Sequence, residues 1–206
     1  MNTAMLAFEV LKRRNVGVTG SSGSVLHRSL VASHALITRS LAEVRLTQSV
    51  QHREQFLIAG FIDEIASAWT LDANARDVTL SVTTVEDGVA IEADRQILAA
   101  VVGNLLQNAF KFTHPQTSVT LRVVASAARV LIEVEDPCGG LVGENVDALF
   151  RPFEQRNVDR TGVGLGLAFS RWGAEANDGL IYARNLPDLG CVFAVDLPRL
   201  PVPALG

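Results

Sequence analysis

The chain has 206 residues, 48% of them hydrophobic, and a formal charge of −4. That length suits one domain of ordinary size with a small accessory element, and the acidic balance argues against a nucleic-acid binder. No run of 18 apolar residues marks a membrane helix, the start lacks the features of a signal peptide, and two cysteines, Cys138 and Cys191, make neither a disulfide framework nor a thiolate metal site, which suits a reducing cytoplasm.

The opening run MNTAMLAFEVLKRR places Met1, Met5, Phe8 and Leu11 at helical spacing, and Lys12, Arg13 and Arg14 close it as a helix C-terminus would. A loop rich in glycine and serine follows. A second helix then carries the stripe Leu26, Leu30, Ser33, Ile37, Leu41 and Val44. The pair reads as an αα-hairpin over residues 1–52 that packs on a second copy as a four-helix bundle. The stretch QHREQFLIAG reads as a charged junction into a third helix, Gln55 to Ala73. DVTLSVTT and VAIEA read as strands, and Asp94 as the cap of an apolar helix, RQILAAVVGNLLQNAFKF. TSVTLRVVAS and ARVLIEVED form a hairpin across Ala127 and Ala128. Residues 137–161 lack periodicity, GLGLAFSRWGAEAN is a helix, LIYARN and CVFAVDLP are the last strands, and 200–206 is a tail. The class is α+β, a mixed sheet with helices on one face, spanning 53–199.

Four clusters carry chemistry. In GNLLQNAFKFT, Asn104 and Asn108 are four apart on a helix and share a face, with Lys111 three further on. Amide oxygens suit a hard cation such as Mg²⁺ and lysine suits phosphate, although a buried helix with two satisfied amides explains the segment equally well. In VEDPCGGL, Asp136 closes an apolar strand, and Gly139 and Gly140 permit a sharp turn. A strand-end carboxylate is an acceptor able to take an exocyclic amine, or part of a simple turn. LFRPFEQ holds Phe150 and Phe153 in a loose segment, as a loop clamp or as ordinary core. In TGVGLGLAFS, Gly162, Gly164, Leu165 and Gly166 lead into a helix whose N-terminal N–H groups can cradle phosphate. It is not a Walker loop, because no Gly-Lys-Ser/Thr follows.

In this order and spacing the set resembles the N, G1, F and G2 boxes of the catalytic and ATP-binding domain of sensor histidine kinases. The resemblance implies the two-layer α/β sandwich of the gyrase, Hsp90, histidine kinase and MutL group (the Bergerat fold), preceded here by the helical hairpin, with a lid between the G1 and G2 boxes. It further implies that Asn108 holds Mg²⁺ bridging the ATP phosphates with Asn104 nearby, and that Lys111 contacts phosphate. Asp136 would read the adenine amine, and Gly140 would let the base sit close. Gly162, Gly164, Leu165 and Gly166 would shape the phosphate site, and Arg156 or Arg160 would reach the γ-phosphate from the lid. The implied partners are ATP, a response-regulator receiver domain, and a second copy through the hairpin. One departure stands out. The usual G1 box is Asp-x-Gly-x-Gly, and Cys138 replaces its first glycine with Pro137 before it. The alternative is a kinase-like dimerisation or adaptor module that docks a response regulator without catalysis. A serine kinase of the anti-sigma type fits less well, because it would not need the hairpin.

Such a kinase phosphorylates a histidine that an acidic residue usually follows directly. His27, His34, His52 and His114 are followed by Arg, Ala, Arg and Pro. The run NTAMLAFEVLKRR is what would follow the family's H box, so the acceptor is expected just before Met1, and the shortened seam is expected to weaken dimerisation. The purified chain incubated with ATP and Mg²⁺ should therefore show no acid-labile phosphohistidine by mass spectrometry; stable label on any of its four histidines would refute this.

Overall fold

The computed structural model describes residues 52–83, 85–141, 146–151, 166–186 and 189–201. The expected hairpin lies outside them, apart from His52. Strand β1 (Arg53–Leu57) leads directly into helix α1 (Ile58–Ala75), followed by β2 (Val78–Val82) and β3 (Ala90–Asp94). Helix α2 (Arg95–Phe112) and the hairpin β4 (Thr117–Ala125) and β5 (Arg129–Asp136) come next. A 3₁₀ turn at Val146–Phe150, helix α3 (Gly166–Glu175) and strands β6 (Leu180–Leu186) and β7 (Gly190–Pro198) complete the described chain.

The sheet order is β2-β4-β5-β7-β6; β2 and β4 are parallel and the other neighbours antiparallel. One face carries Val119, Leu121, Val130, Ile132, Val134, Phe193 and Val195, which form a single core with the apolar residues of the helices. The opposite face is mixed: Arg122 and Arg184 both reach the carboxylate of Glu133, at 2.6 and 3.4 Å, beside the exposed Val124, Leu180 and Tyr182. This is the mixed sheet with helices on one face that the pattern predicts, and the α/β sandwich that the resemblance implies.

Helix α1 buries Ile58, Phe61, Ile62 and Ile65, a stripe at helical spacing. Helix α2 buries ten residues and is apolar almost all round, because β4, β5, α1 and α3 pack around it. Its start is set by Asp94, whose side chain accepts from the backbone N–H groups of Gln96 and Ile97, both at 3.1 Å. The same carboxylate accepts from the His52 N–H at 3.1 Å, and the Asp94 N–H donates to Asn177 Oδ1 at 2.6 Å. Lys111 sits in the last turn, where a cation complements the helix dipole.

The structure corrects one expectation. Residues 53–57 are not the first turn of a helix starting at Gln55 but a strand, paired antiparallel with β3 from Arg53↔Asp94 to Leu57↔Ala90. Its residues are mostly exposed, so no buried alternation betrays it. It is held by its partner strand and by Phe56, which packs on Phe61 at 5.6 Å with the Arg95 guanidinium 4.8 Å from the Phe56 ring.

Helix α3 runs antiparallel to α2 in close contact. A Cβ at Gly173 would lie 2.5 Å from Val101 Cγ2 and 3.1 Å from Ile97 Cγ2, while Gly166 lies beside Asn104. At Gly173 the absence of a side chain allows that approach.

Replacing Asp94 with alanine removes the α2 cap and leaves buried N–H groups unpaired. Asp94→Ala should cost about 2 kcal/mol of stability, read in urea denaturation as a lower midpoint at unchanged slope.

Candidate functional site

The topology gathers most of the candidate residues at one end of the sheet. Residues 113–116 join the C-terminus of α2 to the start of β4, and β4 pairs antiparallel with β5, so Asp136 emerges on the same side as the C-terminal half of α2. There β7 begins, with Cys191 opposite Asp136, and β6 ends, with Asn185 opposite Cys191.

Asn104 and Asn108 lie one turn apart on α2, each half-buried, and Lys111 is exposed, its Nζ 5.0 Å from the Phe112 ring centre. Asn104 Nδ2 donates to the Gly166 carbonyl at 3.4 Å, and Ser170 Oγ donates to the same oxygen at 3.0 Å. Asn104 therefore ties the start of α3, the end with positive dipole, to the helix carrying Asn108 and Lys111. Of the glycine run, Gly166 is placed here; Gly162, Gly164 and Leu165, with Arg156 and Arg160, lie outside the described residues.

Asp136 is 3% exposed. Its Oδ1 accepts from the Cys138 N–H at 2.9 Å, and both of its oxygens lie 3.6 Å from Cys191 Sγ. Burial pushes its carboxyl above the usual carboxylate range, and the thiol and N–H donors pull it only part of the way back. Gly190 makes room for the strand end: it has φ +148°, and a Cβ there would lie 2.0 Å from the Asp136 carbonyl oxygen.

The chain then turns through Gly139 and Gly140, with φ of +79° and +101°. Asn185 holds the exit of this turn. Its Oδ1 accepts from the Leu141 N–H at 2.6 Å and its Nδ2 donates to the Leu141 carbonyl at 3.3 Å, in the manner of a neighbouring strand. Gly140 lies against that side chain, with a Cβ position 3.5 Å from Asn185 Oδ1. Sequence reasoning missed Asn185, since a polar residue at the end of a strand carries no sign of a partner 44 positions away. It also missed that Cys138 and Cys191 meet, with sulfurs 2.8 Å apart.

Phe150 is buried edge-on against Phe193, with ring centres 6.2 Å apart. Arg171 of α3 lies over its other side and pairs with Asp147. Phe150 thus anchors the segment after the turn to α3 and β7. Phe153 lies outside the described residues.

Residues 93–201, the stretch holding all of these placed groups, match the family described as histidine kinase-, DNA gyrase B-, and HSP90-like ATPase. The chain belongs to that family. Its domain is the ATP-binding, catalytic type found in sensor histidine kinases. The sensor protein TorS of Escherichia coli K12 is 33% identical over 133 residues, which is 62% of this chain and 14% of TorS. The adaptive-response sensory kinase SasA of Microcystis aeruginosa is 26% identical over 154 residues, 73% of this chain and 40% of SasA. The chain thus spans less than half the length of these curated relatives. Among solved structures, the catalytic domain of histidine kinase ThkA superposes with TM-score 0.62 at 23% identity, covering 73% of this chain and 99% of that one. Full-length ShkA in complex with AMPPNP superposes with TM-score 0.66 at 24% identity, covering 91% of this chain and 41% of ShkA. At such identities the two structures bear on the fold alone.

The raised pKa of Asp136 has a consequence for stability. The folded pKa lies above the unfolded one, so the stabilisation from the protonated form is full below about pH 3.9 and is lost as pH rises through the folded pKa. Asp136→Asn cannot ionise. It should match the wild type at low pH and exceed it in stability above the carboxylate range, measured as urea midpoints across pH 3 to 8; an Asn variant that is less stable at neutral pH would overturn this.

Proposed function

We propose that the chain is the ATP–Mg²⁺-binding catalytic region of a two-component sensor histidine kinase, which transfers the γ-phosphoryl group to a histidine supplied from outside it. The phosphoryl group would then pass to an aspartate of a response-regulator receiver domain. The observation that carries this reading is the buried carboxylate of Asp136 at the strand end, beside a two-glycine turn and on the α2 C-terminal side of the sheet.

A buried carboxyl group with N–H and S–H donors on one side presents its remaining lone pairs as an acceptor. The exocyclic amine of adenine is a donor that suits it. Gly140 has no side chain to stand between its backbone and a flat base, which would let the base sit close. Asn108 offers an uncharged amide oxygen from a half-buried position on α2, the kind of ligand Mg²⁺ accepts beside phosphate oxygens and water. The metal, once bound, would neutralise the charge that develops on the phosphates. Asn104 positions: it holds Gly166 and so fixes the N-terminus of α3, whose N–H groups, with Gly162, Gly164 and Leu165, would face phosphate. Lys111 supplies a cation at the same end, and Arg156 or Arg160 would supply a further one. Such a site needs little covalent chemistry from the protein, since phosphoryl transfer rests mostly on positioning and charge neutralisation.

In this reading the domain acts in the cytoplasm, and the hairpin of residues 1–52 pairs with a second copy. Among the described residues no helix is long and apolar enough to cross a membrane. The second reading, a non-catalytic adaptor, draws on Cys138 standing where the first glycine of the G1 box is usual.

Nucleotide titration separates the two. Wild-type chain should bind ATP with Mg²⁺, and Asn108→Ala should lose most of the gain that Mg²⁺ confers. Asp136→Asn should weaken binding about tenfold or more, the worth of one hydrogen bond to a charged group. No measurable binding by the folded wild type would favour the adaptor.

A further inference from the structure

The two cysteines of the chain lie 53 positions apart, yet the fold brings their sulfurs to 2.8 Å. Cys191 is buried at the start of β7, and Cys138 is half-exposed in the turn after β5. Both sit on Asp136: the Cys138 N–H donates to its Oδ1, and Cys191 Sγ is 3.6 Å from both of its oxygens. The β5–β7 pairing fixes one sulfur, and the hydrogen bond from the Cys138 N–H fixes the backbone that carries the other. Closing to the roughly 2.0 Å of an S–S bond needs a shift of about 0.8 Å. That is a side-chain adjustment rather than a rearrangement of strands.

We propose that Cys138 and Cys191 form an oxidisable thiol pair, which small-molecule disulfides convert into an intramolecular disulfide tying the turn after β5 to the start of β7. Cys138, the accessible member, reacts first. Its thiolate attacks one sulfur of a disulfide R–S–S–R, forming Cys138–S–S–R and releasing R–S⁻, which takes up a proton. The Cys191 thiol then gives its proton to the Asp136 carboxylate, and its sulfur attacks Cys138 Sγ. The second R–S⁻ leaves and recovers the proton from Asp136. In sum, two protein thiols and R–S–S–R become one protein disulfide and two R–SH. The two thiols are oxidised and the small disulfide is reduced.

Burial selects this outcome over the other chemistry open to the cluster. Asp136, Cys138 and Cys191 bring one ligand atom each to within 4.8 Å of one another, as three ligands of a metal ion would. Two thiolates beside a carboxylate would place three negative charges around one divalent ion and leave a net charge in a buried site; exchange needs a thiolate at only one sulfur at a time, and burial, which pushes both thiols up, slows each attack without leaving a charge in the product. A disulfide is neutral and leaves no charge to solvate.

The test uses the full chain at its native fold. It is incubated with oxidised glutathione, quenched in acid, alkylated, and read by intact mass and peptide mapping. The expected product is a monomer about 2 Da lighter than the reduced chain, with the Cys138 peptide joined to the Cys191 peptide and the reduced mass restored by dithiothreitol. Under the same treatment Cys191→Ser should stop at glutathione on Cys138, and Cys138→Ser should leave its buried Cys191 unmodified. Three results in the wild type would each overturn the proposal. These are glutathione retained on Cys138 with Cys191 still alkylated, both thiols remaining free, and zinc retained at one ion per chain with the thiols protected from glutathione.

Discussion

Asp94, through its carboxylate and its backbone N–H, joins three parts of the chain at one buried point. It caps α2, the helix that bears Asn104, Asn108 and Lys111, and it receives the N–H of His52 at the entry to β1. Its own backbone N–H donates to Asn177, which in turn donates to the Gly173 carbonyl at 2.8 Å. Entry strand, α2 and the C-terminal end of α3 are thereby fixed relative to one another. A helix start is a cluster of unpaired N–H groups, and burying one requires an acceptor in place. Here that acceptor also sets the position of α2 along its axis, and with it the height of every polar residue on the helix.

The opposite end of α2 faces a site with a different requirement. Asp136 is useful as an acceptor because it is buried, and burial works against its charge. The fold offsets this locally, with an N–H from Cys138 and a thiol from Cys191 as donors and the absence of a side chain at Gly190 as the means of close approach. None of these groups is adjacent to Asp136 in sequence except by way of the turn. Stability and acceptor strength are thus in opposition at one residue, as is common where a buried group meets a ligand.

The polar clusters were legible because each one is local. Asn104, Asn108 and Lys111 share a helix, Asp136 precedes its glycines directly, and a cap lies next to the helix it starts. Helix α2, the β4–β5 hairpin and the last two strands were legible for the same reason: their apolar periodicity is strong and their turns lie between them. Strand β1 was not. Arg53–Leu57 is mostly exposed and is a strand only because β3 lies beside it, about forty residues on, and a pairing of that kind leaves no period in the sequence.

By itself, then, the sequence determined the order of the motifs, the class of the fold and the family resemblance, since these depend on residue type and short spacing. The tertiary structure decided which residues meet. It set Asn185 against the turn after Asp136, Gly173 against Val101, and Cys138 against Cys191. The two cysteines that composition alone dismissed became neighbours because antiparallel register places Cys191 opposite Asp136, and register is fixed by burial of one whole face of the sheet rather than by any residue near the cysteines.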